Sequence, residues 1–133
     1  MTIVRCRYEG GLRNRALHEA SGAELITDAP LDNHGQGASF SPTDLVGTAL
    51  VSCILTIMGI VAERHGIALE GAEARVEKRM SSAGERRIEA LEVWIRLPPE
   101  LEERQRALLI RAGESCPVKR SLDGCVPMTL HWD

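Results

Sequence analysis

Residues 45–62 form an uncharged apolar run of 18 residues, LVGTALVSCILTIMGIVA, a length that leaves two options: a membrane span or a helix in the core of a domain. Gly47, Thr48, Ser52, Thr56 and Gly59 interrupt the run and no second one accompanies it, so a central core helix is the expected reading. Both ends carry signals. Ser41 supplies a hydroxyl cap, Pro42 suits the first helical position, Asp44 can complete a capping box, and Gly66 stops the helix. Leu45, Val46, Leu50, Ile54, Ile57, Met58, Ile60 and Val61 surround the helix on nearly every side, which predicts that other elements cover it all round. Cys53 lies at its middle.

The flanking segments read as strands in groups. Residues 3–8 alternate and run into the Gly10-Gly11 turn, and residues 15–20 and 24–27, joined at Ser21-Gly22, continue a meander. Residues 28–40, DAPLDNHGQGASF, have no period and form a loop long enough to carry a function. Beyond the helix, Ala72, Ala74 and Val76 and then Leu91, Val93, Ile95 and Leu97 alternate with charged or bulky polar positions, predicting an antiparallel hairpin turning near Ala83-Gly84. Pro98-Pro99 starts a charged amphipathic helix over 101–114, Cys116-Pro117 breaks it or starts another, and residues 126–132 form a last strand. Strands grouped between helices favour one α+β domain over residues 1–133, rather than a parallel βαβ architecture.

Composition narrows the function. A formal charge of −3 lacks the concentrated cations that binding nucleic-acid phosphates requires. The opening MTIVRCRYEGG carries charges where an export signal needs an apolar core, so a cytoplasmic location is expected, with no membrane partner. Cys6, Cys53, Cys116 and Cys125 have no CxxC spacing, and His18, His34, His65 and His131 are scattered, so a structural metal is not expected. Cys6 and Cys125 read as buried small apolar residues. His34 and His65 could carry protons, but a solvated loop histidine and a favourable charge at a helix C-terminus explain them more simply. Lys119-Arg120 reads as surface charge.

Cys53 and Cys116 invite a different chemistry. A thiolate that attacks a peroxide becomes a sulfenic acid, and a second thiol converts that acid to a disulfide. An apolar setting disfavours the thiolate, so this chemistry needs a cation beside Cys53. The SPTDL helix start, a cysteine nine residues after Asp44, the late Ser115-Cys116-Pro117 and the early Gly10-Gly11-Leu12-Arg13 together resemble the OsmC/Ohr family, nearly from end to end. The resemblance implies an intertwined homodimer with antiparallel sheets around two central helices, reducing organic hydroperoxides with a small thiol or lipoyl-type dithiol as reductant. It implies no metal, haem or flavin. By position, Cys53 resembles the peroxidatic cysteine and Cys116 the resolving one. Arg13, or less well Arg15, matches the arginine that would stabilise the thiolate and orient the peroxide. Leu50, Ile54, Ile57 and the 28–40 loop would supply an apolar wall.

One position departs from the family pattern. Better-studied members commonly carry glutamate after the helix-opening proline, where this chain has Thr43, with Asp44 one place later. At about 100° per residue, Asp44 is turned roughly 180° from Cys53, and it reads first as half of the capping box with Ser41. The missing carboxylate keeps an alternative open: a non-catalytic or redox-sensing dimer that binds an apolar small molecule on the same fold. A cysteine hydrolase lacks a histidine placed near Cys53 and ranks last.

Overall fold

The computed structural model describes residues 1–133, which fold as two compact units, Met1–Val46 and Gly47–Asp133. In the first unit, β1 (Val4–Gly10), β2 (Arg13–His18) and β3 (Glu24–Asp28) form an antiparallel meander in the order β1-β2-β3. The second strand starts at Arg13 rather than Arg15, which places Arg13 within the sheet opposite Asp28, with Arg15 opposite Ile26. The loop that follows is tied back onto β3. Asp28 N–H donates to the Phe40 carbonyl at 3.1 Å, Gly37 N–H to the Ala29 carbonyl at 3.2 Å, and Ser39 Oγ to the Ile26 carbonyl at 2.8 Å. Little in this unit is buried: Ile3, Val4, Tyr8, Leu25 and Ile26 are all exposed, whereas Thr27, Asp28 and Ser41 are not.

The unit boundary falls inside α1 (Pro42–Arg64). Its start is the expected capping box: Ser41 N–H donates to Asp44 Oδ2 at 2.8 Å, and Asp44 N–H donates to Ser41 Oγ at 3.1 Å. Its end is a Schellman motif. Gly66 takes a φ of 63°, a left-handed conformation that costs glycine nothing, while Ile67 N–H reaches the Ala62 carbonyl at 2.9 Å and Gly66 N–H reaches Glu63 at 3.4 Å.

The second unit holds the core. The strands β4 (Glu73–Met80) and β5 (Ile88–Arg96) pair antiparallel, as the alternation predicts, and α2 (Glu103–Glu114) and α3 (Pro117–Leu122) lead to β6 (Met128–Trp132). The last strand lies parallel to β5, not antiparallel, with Leu91 opposite Met128 and Ile95 opposite Trp132. The two intervening helices are the crossover that returns the chain to the starting end of β5, as a parallel pair requires. Leu50, Ile54 and Met58 of α1, Leu91, Val93 and Ile95 of β5, Leu109 of α2 and Cys116 are fully buried. On the other face of the sheet, the Arg75 guanidinium lies 4.3 Å from the Trp94 ring centroid, and Trp94 stacks on His131 at 5.1 Å.

Burial of α1 is narrower than its composition predicts. Gly47, Leu50, Ile54, Met58 and Ala62, spaced three or four apart, form one buried stripe, while Ile60 is exposed and Val51, Cys53, Ile57 and Val61 are only half-buried. A three-stranded sheet and one amphipathic helix cannot enclose a helix on every side. The helix is long and apolar enough to cross a membrane by length and composition, yet its central stripe is core packing within its own unit.

Gly113 sets how closely α2 approaches α1. A Cβ at that position would stand 2.5 Å from Trp132 Cη2 and 3.2 Å from Ile54 Cγ2, inside contact distance for both. Trp132 is also fixed at its far edge, since its Nε1 donates to Glu114 Oε1 at 2.8 Å. Gly113→Ala is therefore expected to overpack the junction and destabilise the protein by about 1–3 kcal/mol in urea unfolding, despite alanine's higher helix propensity. An equal or higher unfolding midpoint would contradict this packing.

Candidate active site

The two cysteines singled out by the sequence are brought together. Cys53 lies at the middle of α1 and Cys116 in the link between α2 and α3, 63 positions later, and their side chains are close enough to interact. Both are free thiols. The link is short because Pro117 ends one helix and begins the next: Cys116 N–H donates to the Gly113 carbonyl at 3.3 Å, closing α2, while Cys116 Sγ accepts the Lys119 N–H at 3.4 Å as the cap of α3. Gly113, three residues before Cys116, is the point at which α2 meets Ile54, the neighbour of Cys53.

The two thiols have different surroundings. Cys53 is half-buried, so a solute can reach it, whereas Cys116 is fully buried. Burial pushes the Cys116 thiol up from its ordinary pKa, the contact with Cys53 adds to the rise, and the Lys119 N–H works against it. At neutral pH Cys116 is therefore a protonated thiol next to a more accessible one. Such a pair suits two-step chemistry in which the accessible sulfur reacts first and the buried one second.

Of the apolar wall expected beside Cys53, Leu50 and Ile54 belong instead to the core stripe and are fully buried. The surface that Cys53 shares runs along the next helical turns, through half-buried Ile57 and exposed Ile60, four and seven residues on.

Arg13 belongs to the first unit. Its Nη2 donates to Gln36 Oε1 at 3.0 Å and its Nε lies 3.8 Å from Asp28 Oδ2. Arg15 is differently engaged, with Nε 3.2 Å from Glu9 Oε1 and Nη1 3.1 Å from Glu24 Oε2; the Glu9 hydrogen bond, then that of Glu24, push its pKa up. Asp28 and Gln36 are the partners of Arg13 that sequence reasoning missed. The signal for Asp28 was present in the hairpin: counting outward from the Ala20-Ser21 midpoint pairs position 13 with position 28. Gln36 gave none, because a residue in an aperiodic loop has no register to count.

The side chains of the remaining candidates are engaged elsewhere or face solvent. Asp44 is held in the helix cap, His34 and His65 are exposed, and Lys119 is paired with Glu114 at 3.5 Å. Cys6 and Cys125 are exposed rather than buried, because Cys6 lies on the uncovered β1 and Cys125 follows a surface turn at Gly124. No three His, Cys, Asp or Glu side chains converge as a metal-ligand set.

The sequence pattern of the OsmC-like protein family matches residues 35–131. The chain belongs to that family, within the wider OsmC/Ohr group. Among solved structures, a protein of Psychrobacter arcticus named for osmotic stress induction and detoxification response superposes with a TM-score of 0.91 at 38% identity, over 100% of this chain and 96% of that one. The organic hydroperoxide resistance protein OsmC of Legionella pneumophila (TM-score 0.75, 21% identity, 100% and 96% coverage) and OhrB of Bacillus subtilis (0.72, 17%, 100% and 98%) share the fold. A search of curated proteins finds no match.

The raised Cys116 thiol has a consequence for stability. Its folded pKa lies above its unfolded one, so its contribution is complete below the unfolded value, about pH 8.5, and is lost as pH rises through the folded value. The reduced protein is expected to lose stability to urea between about pH 8 and 10, with a shallower decline in Cys116→Ala. Equal slopes for the two proteins would contradict a protonated, buried Cys116.

Proposed function

We propose that this protein is a thiol-dependent peroxidase that reduces organic hydroperoxides to alcohols. The observation that carries the reading is the contact between the accessible Cys53 and the buried, protonated Cys116. The Cys53 thiolate attacks the outer peroxide oxygen, the O–O bond breaks, and the alkoxide leaves and takes a proton to become the alcohol. Cys53 is then a sulfenic acid. The Cys116 sulfur attacks it, its proton departs with the hydroxyl as water, and a disulfide remains. A small or lipoyl-type dithiol reduces that disulfide and becomes a disulfide itself, so electrons and atoms balance over the cycle.

Arg13 is assigned the cationic role, stabilising the Cys53 thiolate and donating to the peroxide oxygens. It suits this role better than Arg15, whose guanidinium is already shared between Glu9 and Glu24. The apolar turns around Ile57 and Ile60 favour an alkyl or aryl hydroperoxide over hydrogen peroxide, because burying hydrocarbon gains about 25 cal/mol per Å². The same reading makes the protein a cytoplasmic homodimer. The exposed apolar side chains of the β1–β3 sheet and Ile60 of α1 support a second copy as their cover.

Turnover of cumene hydroperoxide with dihydrolipoamide tests the proposal. Wild-type protein should turn over with a kcat/KM well above that for hydrogen peroxide, and Cys53→Ser should be inactive. In the absence of dithiol, Cys116→Ser should consume one equivalent of peroxide and stop, with a sulfenic acid on Cys53 that dimedone traps. If wild type and Cys53→Ser are equally inactive, the fold serves as a ligand-binding or redox-sensing dimer instead.

A further inference from the structure

Asp28 carries a charge that its structural duties do not require. It ends β3, is 1% exposed, and stands opposite Arg13 in the β2–β3 register. Its Oδ2 accepts the Ala38 N–H at 3.0 Å, which fastens the loop to the strand, and lies 3.8 Å from Arg13 Nε. Its Oδ1 is buried without any hydrogen-bond partner. Fastening the loop needs one acceptor, and asparagine would provide it without burying an ionised group. A carboxylate kept in such a place is costly to the fold, and the cation that faces it is Arg13.

Thr43 carries no charge where the resemblance leads one to expect glutamate, and the Asp44 carboxylate accepts the Ser41 N–H in the cap of α1. Gln36, on the loop that Asp28 fastens, holds the guanidinium at a second point through Nη2 at 3.0 Å. We infer that Asp28, the buried carboxylate at the end of β3, is the residue that positions Arg13, with Gln36 as the second hold. The inference rests on the proposed role of Arg13 at Cys53. It also gives the 28–40 loop a purpose: fastened at Asp28, it carries Gln36 to the guanidinium.

The test compares full-length wild type, Asp28→Asn, Arg13→Met and the double variant. Three readouts are needed: thermal melting, kcat/KM for cumene hydroperoxide, and the pH–rate profile of Cys53 alkylation by iodoacetamide, followed on the Cys53 peptide by mass. Asp28→Asn keeps the acceptor for Ala38 and removes the charge. It is expected to melt at or above the wild-type temperature while kcat/KM falls about tenfold or more, the size of a lost charge-assisted hold. The alkylation profile should move to higher pH, because a loosened Arg13 no longer supports the thiolate. Simple loss of a nearby negative charge would move the profile the other way, so the direction separates positioning from a field effect. On the Arg13→Met background Asp28→Asn should change neither rate nor profile.

The inference is overturned if Asp28→Asn leaves rate and profile unchanged, moves the profile to lower pH, or acts equally with and without Arg13. A lower melting temperature with equal losses in both backgrounds would mark Asp28 as a loop fastening and nothing more. If Arg13→Met itself matches wild type in rate and profile, the role of Arg13 falls and this inference falls with it. If Arg13→Met is impaired and Asp28→Asn is not, only the inference about Asp28 fails.

Discussion

The absence of a side chain at Gly113 is the constraint on which the thiol pair depends. With the Trp132 ring and Ile54 closer than any Cβ would allow, α2 lies against α1 at the turn next to Cys53. Three residues later the helix closes, and Cys116 caps the next one with its sulfur. The contact between the thiols follows from the packing of two helices, with Cys53 inside α1 and Cys116 held as the cap of α3 in the two-residue link after α2. Such placement suits chemistry in which the second sulfur must reach the first quickly, before a sulfenic acid is oxidised further.

Electrostatic features divide between the two units. In the second unit, burial keeps Cys116 protonated and leaves Cys53 the more accessible sulfur. In the first, Arg13 is held by a buried aspartate and a loop glutamine, while the neighbouring Arg15 is occupied by two glutamates. Two arginines two residues apart on one strand thus differ in what they can offer a ligand, and cross-strand partners set the difference rather than the arginines themselves.

Much of the fold was legible because its signals are local. The cap at Ser41-Asp44, the Gly66 stop and the alternation of Ala74 to Val76 and Leu91 to Ile95 each depend on a few consecutive residues, and each took its expected form. What was not legible depends on distant partners. The direction of β6 is set by the α2–α3 crossover, and the alternation of Met128, Leu130 and Trp132 is the same for parallel and antiparallel pairing. Apolar residues all round α1 suggested complete cover, but one chain supplies cover for only one stripe. Cys53 and Cys116 could be paired only through a family resemblance, because no spacing in the sequence brings them together. Asp28 was hidden by its neighbours: Asp-Ala-Pro reads as the start of a loop, although the hairpin register assigns it to the strand opposite Arg13.

The most direct test of the account is the state of the four cysteines after one equivalent of cumene hydroperoxide is added to fully reduced protein, read by intact and peptide mass. The account predicts rapid loss of two hydrogen atoms and a single linked peptide pair containing Cys53 and Cys116, with Cys6 and Cys125 still reduced. Thiols that stay reduced, or disulfides that form as readily through Cys6 or Cys125, would contradict it.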